Sequence, residues 1–167
     1  MATPTTLPAT FTAGQVLTAA QLNDLRGAFR TLQVVSAAYS TQTGSTSGTY
    51  ATTGLSAIIT PQSSSNTILV NVSMSIGMSA DPNNITGFRI IRTTSAVDTT
   101  VGTWNYAFGP RGSSDQYGSW SHMLVVSPAT TSATTFTVQF ARFSGGGTVY
   151  AQSASSQSTI VLQEISA

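Results

Sequence analysis

An alternation near the middle of the chain narrows the possible folds more than any other feature. Ile68, Val70, Val72, Met74, Ile76 and Met78 alternate with Leu69, Asn71, Ser73, Ser75 and Gly77. A period of two places one apolar row and one largely polar row on opposite faces, which is the pattern of a half-buried antiparallel strand. Turn chemistry follows in Asp81-Pro82-Asn83-Asn84. Residues 85–94 then return as a second strand, with Phe88 and Ile90 on one face and Arg89 and Ile91 on the other, so the two are expected to form a hairpin.

The same reading finds strands over residues 32–39, over 49–60 up to Pro61, and over 103–108, where Trp104, Tyr106 and Phe108 alternate. Others cover 117–126 up to Pro128, 134–143 with Phe136, Val138 and Phe140, then 148–152 and 158–165. Gly145-Gly146-Gly147 turns the chain, and residues 41–50, TQTGSTSGTY, read as a turn region. Eight or nine short strands separated by turn clusters predict an all-β fold, an antiparallel β-sandwich or jelly roll, with its strand order left open. No internal repeat suggests a solenoid or a propeller.

One stretch departs from this pattern. Residues 11–32, FTAGQVLTAAQLNDLRGAFRTL, carry a helix start in which Thr18 can cap, Gln21 can reach back, and Leu17 and Leu22 form a staple. From about Ala19 the apolar residues Leu22, Leu25, Phe29 and Leu32 follow the narrow spacing of a self-association seam. The same four positions also suit an amphipathic helix capping the end of its own β-domain. A seam this short is marginal alone, so an additional interface is needed to hold copies together. Before it, residues 1–10, with Pro4 and Pro8 among threonines, read as an extended arm. The predicted organisation is an N-terminal attachment arm and one short α-helix over residues 1–33, then a jelly-roll-like β-sandwich over 34–167.

Composition excludes several function classes. The formal net charge is +1 with 7% charged residues, and the only cations are Arg26, Arg30, Arg89, Arg92, Arg111 and Arg142, with no lysine. They are scattered, so nucleic acid is not expected as a partner. Ser and Thr supply roughly 50 residues, while the hydrophobic fraction remains that of a globular protein. A surface of hydroxyls instead of charges is weakly protected against self-association, which suits a subunit of an assembly better than a free monomer. No secretion-signal pattern and no run approaching about 18 apolar residues occurs, so membrane insertion is not expected.

Site chemistry is equally sparse. Without cysteine there is neither a thiolate metal site nor a cysteine nucleophile, and one histidine, His122, leaves a metal site short of ligands. The acids Asp24, Asp81, Asp98, Asp115 and Glu164 form no close-spaced pair, and neither a serine-nucleophile elbow nor a phosphate-binding loop occurs. No catalytic residue, cofactor or metal is expected, and the chain does not read as an enzyme. Trp104, Tyr106 and Trp120 are candidates for a ligand surface, since aromatic rings offer a rigid apolar face, although core packing or a subunit interface is the more usual role.

Residues 11–23, FTAGQVLTAAQLN, resemble the opening motif of many tailed-bacteriophage virion proteins: small head-fibre, capsid-decoration and tail-fibre-associated proteins. Residues 54–61 with 64–70, and the ending 158–165, look like a β-domain common in the same proteins. The resemblance implies a homotrimer in a virion assembled in the host cytoplasm. Phe11, Val16 and Leu17 would attach to the particle, and Leu22, Leu25, Phe29 and Leu32 would line the trimer axis. A chain with one helix and one compact domain lacks the shaft of a fibre, which favours a trimeric capsid-decoration protein bound to the major capsid protein or another virion protein. The alternatives are a tail-fibre or tail-adaptor subunit and, from another class, a carbohydrate-binding lectin-like module. Binding of a host-surface glycan is compatible with either virion role.

Overall fold

The computed structural model describes residues 31–109 and 114–167 and, before them, residues 14, 16, 18 and 19. Ten strands follow one another: β1 Thr31–Tyr39, β2 Thr43–Ser45, β3 Ala51–Ile59, β4 Thr67–Met78, β5 Ile85–Thr94, β6 Val97–Phe108, β7 Gln116–Val126, β8 Thr134–Ser144, β9 Val149–Ala151 and β10 Ser158–Ile165. A single 3-10 turn, Ser153–Ser155, precedes β10.

All the pairings are antiparallel, and they divide the strands into two sheets. In the six-stranded sheet β4 is central: β7 runs along one edge, while the other edge is shared by β10, continued by β1, and β9, continued by β2. The second sheet has the order β3-β8-β5-β6. Five of the ladders join an early strand to a late one in nested order: β1 with β10, β2 with β9, β3 with β8, β4 with β7 and β5 with β6. The chain is thus one long hairpin, bent at the β5–β6 turn and rolled into two facing sheets. That is jelly-roll order. The sequence predicted an antiparallel sandwich or jelly roll, and the ladders supply the order that it left open.

Two-residue periodicity fills the space between the sheets. Ile68, Val70, Val72, Met74, Ile76 and Met78 are each at most 1% exposed, which bears out the alternation in β4. Facing them are Leu55 and Ile59 of β3, Phe88 and Ile90 of β5, and Phe136, Val138 and Phe140 of β8, with Ile160 and Leu162 of β10 beside β4. Phe88 stacks on Trp120 of β7 at 4.7 Å between ring centroids, tying the two sheets together.

Three local features differ from expectation. Strand β6 begins at Val97, well before the predicted start, because Ser95 and Ala96 close a two-residue hairpin with φ of 50° and 64°. Hairpin turns of this kind favour Asn or Gly, so nothing in Thr94-Ser95-Ala96-Val97 announces one. Strand β2 lies inside the stretch read as a turn and pairs with β9 over three residues. Leu32, predicted as the last member of the helical seam, is the second residue of β1, and the ladder with β10 begins at Thr31. Backbone pairing wins there, and β1 begins at Thr31. Apart from residues 14, 16, 18 and 19, the predicted arm and helix, with Phe11, Leu17, Leu22, Leu25 and Phe29, lie outside the described residues.

One buried carboxylate holds the β3–β4 loop to the sheet beneath it. Glu164 of β10 is fully buried and accepts hydrogen bonds from the Gln62 N–H at 2.7 Å, Asn66 Nδ2 at 2.6 Å and Gln33 Nε2 at 2.5 Å. Desolvation pushes its pKa up, but the bonds from Asn66, Gln33 and the loop backbone outweigh it and hold the pKa below the ordinary value of 4.5.

Two outcomes are expected. Ala96→Gly relieves a left-handed residue at the hairpin and should raise the urea midpoint by up to about 1 kcal/mol of stability without changing the slope. For Glu164, a depressed folded pKa contributes stability that is present above pH 4.5 and lost as pH falls through the lower folded value. Glu164→Gln should therefore cost about 1–3 kcal/mol at neutral pH and flatten the loss of stability below pH 4.5, as read from urea titrations at several pH values.

Candidate binding surfaces

The described carboxylates serve the fold. Asp81 accepts N–H groups from Asn83 and Gly146, which pins the β4–β5 turn to the glycine turn after β8. These backbone bonds hold its carboxyl below the usual range. Asp98 accepts from the Thr93 hydroxyl at 2.7 Å, and Asp115 from the Ala80 N–H at 2.8 Å. Among the described residues no group of three or more His, Cys, Asp and Glu could hold a metal ion.

The three aromatic candidates fall on different sides of the sandwich. Trp120 is 7% exposed, and Trp104 packs its ring edge against it at 5.2 Å. His122 lies 3.9 Å from Trp104, so the three rings sew the edge strand β6 to the edge strand β7 across the open side of the sandwich. Trp104 and Trp120 are structural closure, and their faces are taken by neighbouring side chains. Tyr106, by contrast, is 77% exposed. A register shift in the β5–β6 ladder puts residues 105–107 opposite Gly87 alone, and the extra residues turn Tyr106 outward.

Outside the second sheet, Tyr106 belongs to a cluster assembled from four segments. Arg89 of β5 stands between Gln139 of β8 and Thr103 of β6 in the ladders. Its Nε donates to Gln139 Oε1 at 2.7 Å, and its guanidinium lies 4.4 Å over the ring of Tyr50, just before β3. The Tyr50 hydroxyl donates to Asn105 Oδ1 at 3.1 Å. Burial raises the pKa of that hydroxyl, although the Arg89 charge opposes the shift. Phe143 of β8 meets Tyr50 edge-on at 5.7 Å and Tyr106 at 6.2 Å. Its ring lies over Gly87, where a Cβ would approach Phe143 Cε2 to 2.0 Å, so no larger residue fits without displacing the ring. Sequence reasoning missed Tyr50, Arg89, Gln139 and Phe143 as a group, because only the ladders bring them together.

The outer face of the six-stranded sheet has the opposite character. Cross-strand neighbours place Val34, Gln163, Leu69 and Val125 in one row and Ser36, Val161, Asn71 and Met123 in the next. Beyond them the row Ala38, Thr159, Ser73, Ser121 continues the face with hydroxyls. Val34, Met123 and Val125 are 55%, 60% and 67% exposed. No acid, arginine or histidine stands in these rows. Val16, predicted to attach to a particle, is exposed.

No protein-family model and no curated protein sequence matches the chain. Among solved structures, the VP2 subviral particle of infectious bursal disease virus aligns with 81% of this chain and 37% of that one, at 15% identity and a TM-score of 0.46. The Gt strain of the same virus aligns with 82% of this chain and 39% of that one, at 15% identity and a TM-score of 0.41. The chain thus spans well under half the length of these viral proteins.

The two kinds of aromatic residue should separate in stability measurements. Trp120→Ala is expected to cost about 3–5 kcal/mol through the cavity it opens. Tyr106→Ala should stay within about 0.5 kcal/mol of the parent in the same urea denaturation.

Proposed function

We propose that the chain is a structural subunit of a virus particle, a bacteriophage capsid-decoration protein that works as a homotrimer and attaches through its N-terminal segment. The observation that carries this reading is the charge-free outer face of the six-stranded sheet. An isolated soluble domain gains solubility from scattered charges, whereas here only aliphatic side chains, amides and hydroxyls stand in the cross-strand rows. Such a face can be covered by another copy without stripping water from any ion.

Chain direction supports the same assignment. The segment that resembles a phage attachment motif leads into Thr31, the first residue of β1, and β1 is an edge strand of the same sheet. In the proposed trimer the face around Met123 and Val125 supplies the interface that a short helical seam needs, and Leu22, Leu25 and Phe29 converge at the axis. Phe11, Val16 and Leu17 then contact the capsid. The compact jelly roll of the described residues supports a place on the head over one in a fibre shaft.

The test has two levels. The purified chain should scatter light as a trimer, and Met123→Glu with Val125→Glu, two exposed positions that fold can tolerate, should yield folded monomers. A trimer unaffected by this pair but lost on Leu25→Asp would move the interface wholly to the N-terminal seam. Added to purified expanded capsids, the protein should bind to a lattice-defined saturation, and binding to isolated tails alone would overturn the decoration role in favour of a tail adaptor.

A further inference from the structure

The outer cluster on the second sheet presents several outward donors beside exposed aromatic rings. Arg89 can only donate, so the amide of Gln139 is forced to turn its Oε1 toward the Arg89 Nε and its NH₂ outward. The Oδ1 of Asn105 is engaged by the Tyr50 hydroxyl, which leaves the Asn105 amide nitrogen as its outward group. The two amino nitrogens of Arg89 have no hydrogen-bond partner among the described residues, and the guanidinium is held in place by the Tyr50 ring and Gln139. Beside these donors stand Phe143, 38% exposed, and Tyr106, 77% exposed.

We infer that this surface, formed by Arg89, Tyr50, Asn105, Gln139, Tyr106 and Phe143, is a binding site for a saccharide that carries a carboxylate. The two oxygens of a carboxylate match the amino groups of a guanidinium held flat on an aromatic ring. The amides of Asn105 and Gln139 then meet ring or hydroxyl oxygens, and the C–H face of a pyranose lies on Tyr106. A fixed guanidinium, two outward amide N–H groups and flat exposed rings favour an acceptor-rich, disc-shaped ligand of this kind. Nucleic acid is disfavoured, since a single arginine supplies too little charge for a phosphate backbone. The face lies on the opposite side of the sandwich from the charge-free sheet, so it remains open in the proposed trimer.

Titration of the full-length protein with N-acetylneuraminic acid and with methyl β-glucuronide, followed by saturation-transfer NMR and calorimetry, tests the assignment; methyl β-glucoside is the neutral match. Binding of at least one acidic sugar is expected, weakened about tenfold or more by Arg89→Gln and only partly restored by Arg89→Lys. Tyr106→Ala, at an exposed position where folding is not at stake, should weaken binding and reduce the saturation transferred from the protein to the pyranose C–H protons. Equal binding of methyl β-glucoside, binding unchanged in both variants, or no binding of either acidic sugar by the folded protein would overturn the site. Because the measurement uses the isolated protein, its failure leaves the particle-assembly experiment untouched.

Discussion

The rest of the structure depends on the two-sided row of β4. Six side chains of one strand enter the core, and at about 1.5–3 kcal/mol for each fully buried aliphatic they make that strand the largest single apolar contribution to the sandwich. The same strand bonds β7 along its whole length and shares its other edge between β10 and β9. Sliding the pairing by one residue would bring Asn71 and Ser73 inward and expose Val70 and Val72, so the register of three neighbours is set by one hydrophobic pattern. The outer face is fixed by the same act, because every residue that is not inward on β4 and β7 must be outward.

That coupling explains why the core was legible in the sequence and the surfaces were not. Alternation in β4 and β8 named Ile68 to Met78 and Phe136 to Phe140 as inward residues, and all of these alternating positions are buried. A face, however, is made of residues from several strands, and its composition depends on ladder order. Val34, Val161 and Met123 are each unremarkable in their own segments and become a patch only through the β1-β10-β4-β7 order. Local geometry hid other features: the Ser95–Ala96 hairpin uses residues that seldom adopt positive φ, and the register shift near Gly87 sends Tyr106 away from the alternation that should have kept it beside Trp104. Aromatic content alone could not say which ring seals an edge and which faces water.

Polar chemistry is also divided by position. The described acids bind backbone amides, hydroxyls and side-chain amides, as Asp81, Asp98, Asp115 and Glu164 show. The arginines are treated differently: Arg92 donates to the Ser127 carbonyl and Arg142 to the Gly147 carbonyl. Ion pairing therefore contributes little to holding these sheets together, and exposed pairs would have added at most about 1 kcal/mol each. In a chain this poor in charge, the acids serve as acceptors where turns leave N–H groups unpaired, which is a need that hydrogen bonding meets without a counter-ion.

One consequence bears on Arg89. With the described carboxylates engaged in turns and in the Glu164 pin, its charge is balanced by a ring quadrupole and an amide oxygen instead of an anion. Stacking on Tyr50 fixes the plane of the guanidinium but satisfies none of its amino hydrogens, so the order of the side chain is achieved before any ligand arrives. The cation–π contact and the Gln139 bond are worth more for orientation than for stability, since both lie on an accessible face. A site built this way costs the fold little to keep, and it can coexist with a neighbouring sheet whose opposite face carries no charge at all. In the proposed reading assembly and recognition draw on different sides of one sandwich, and a substitution on either side leaves the core row of β4 unchanged.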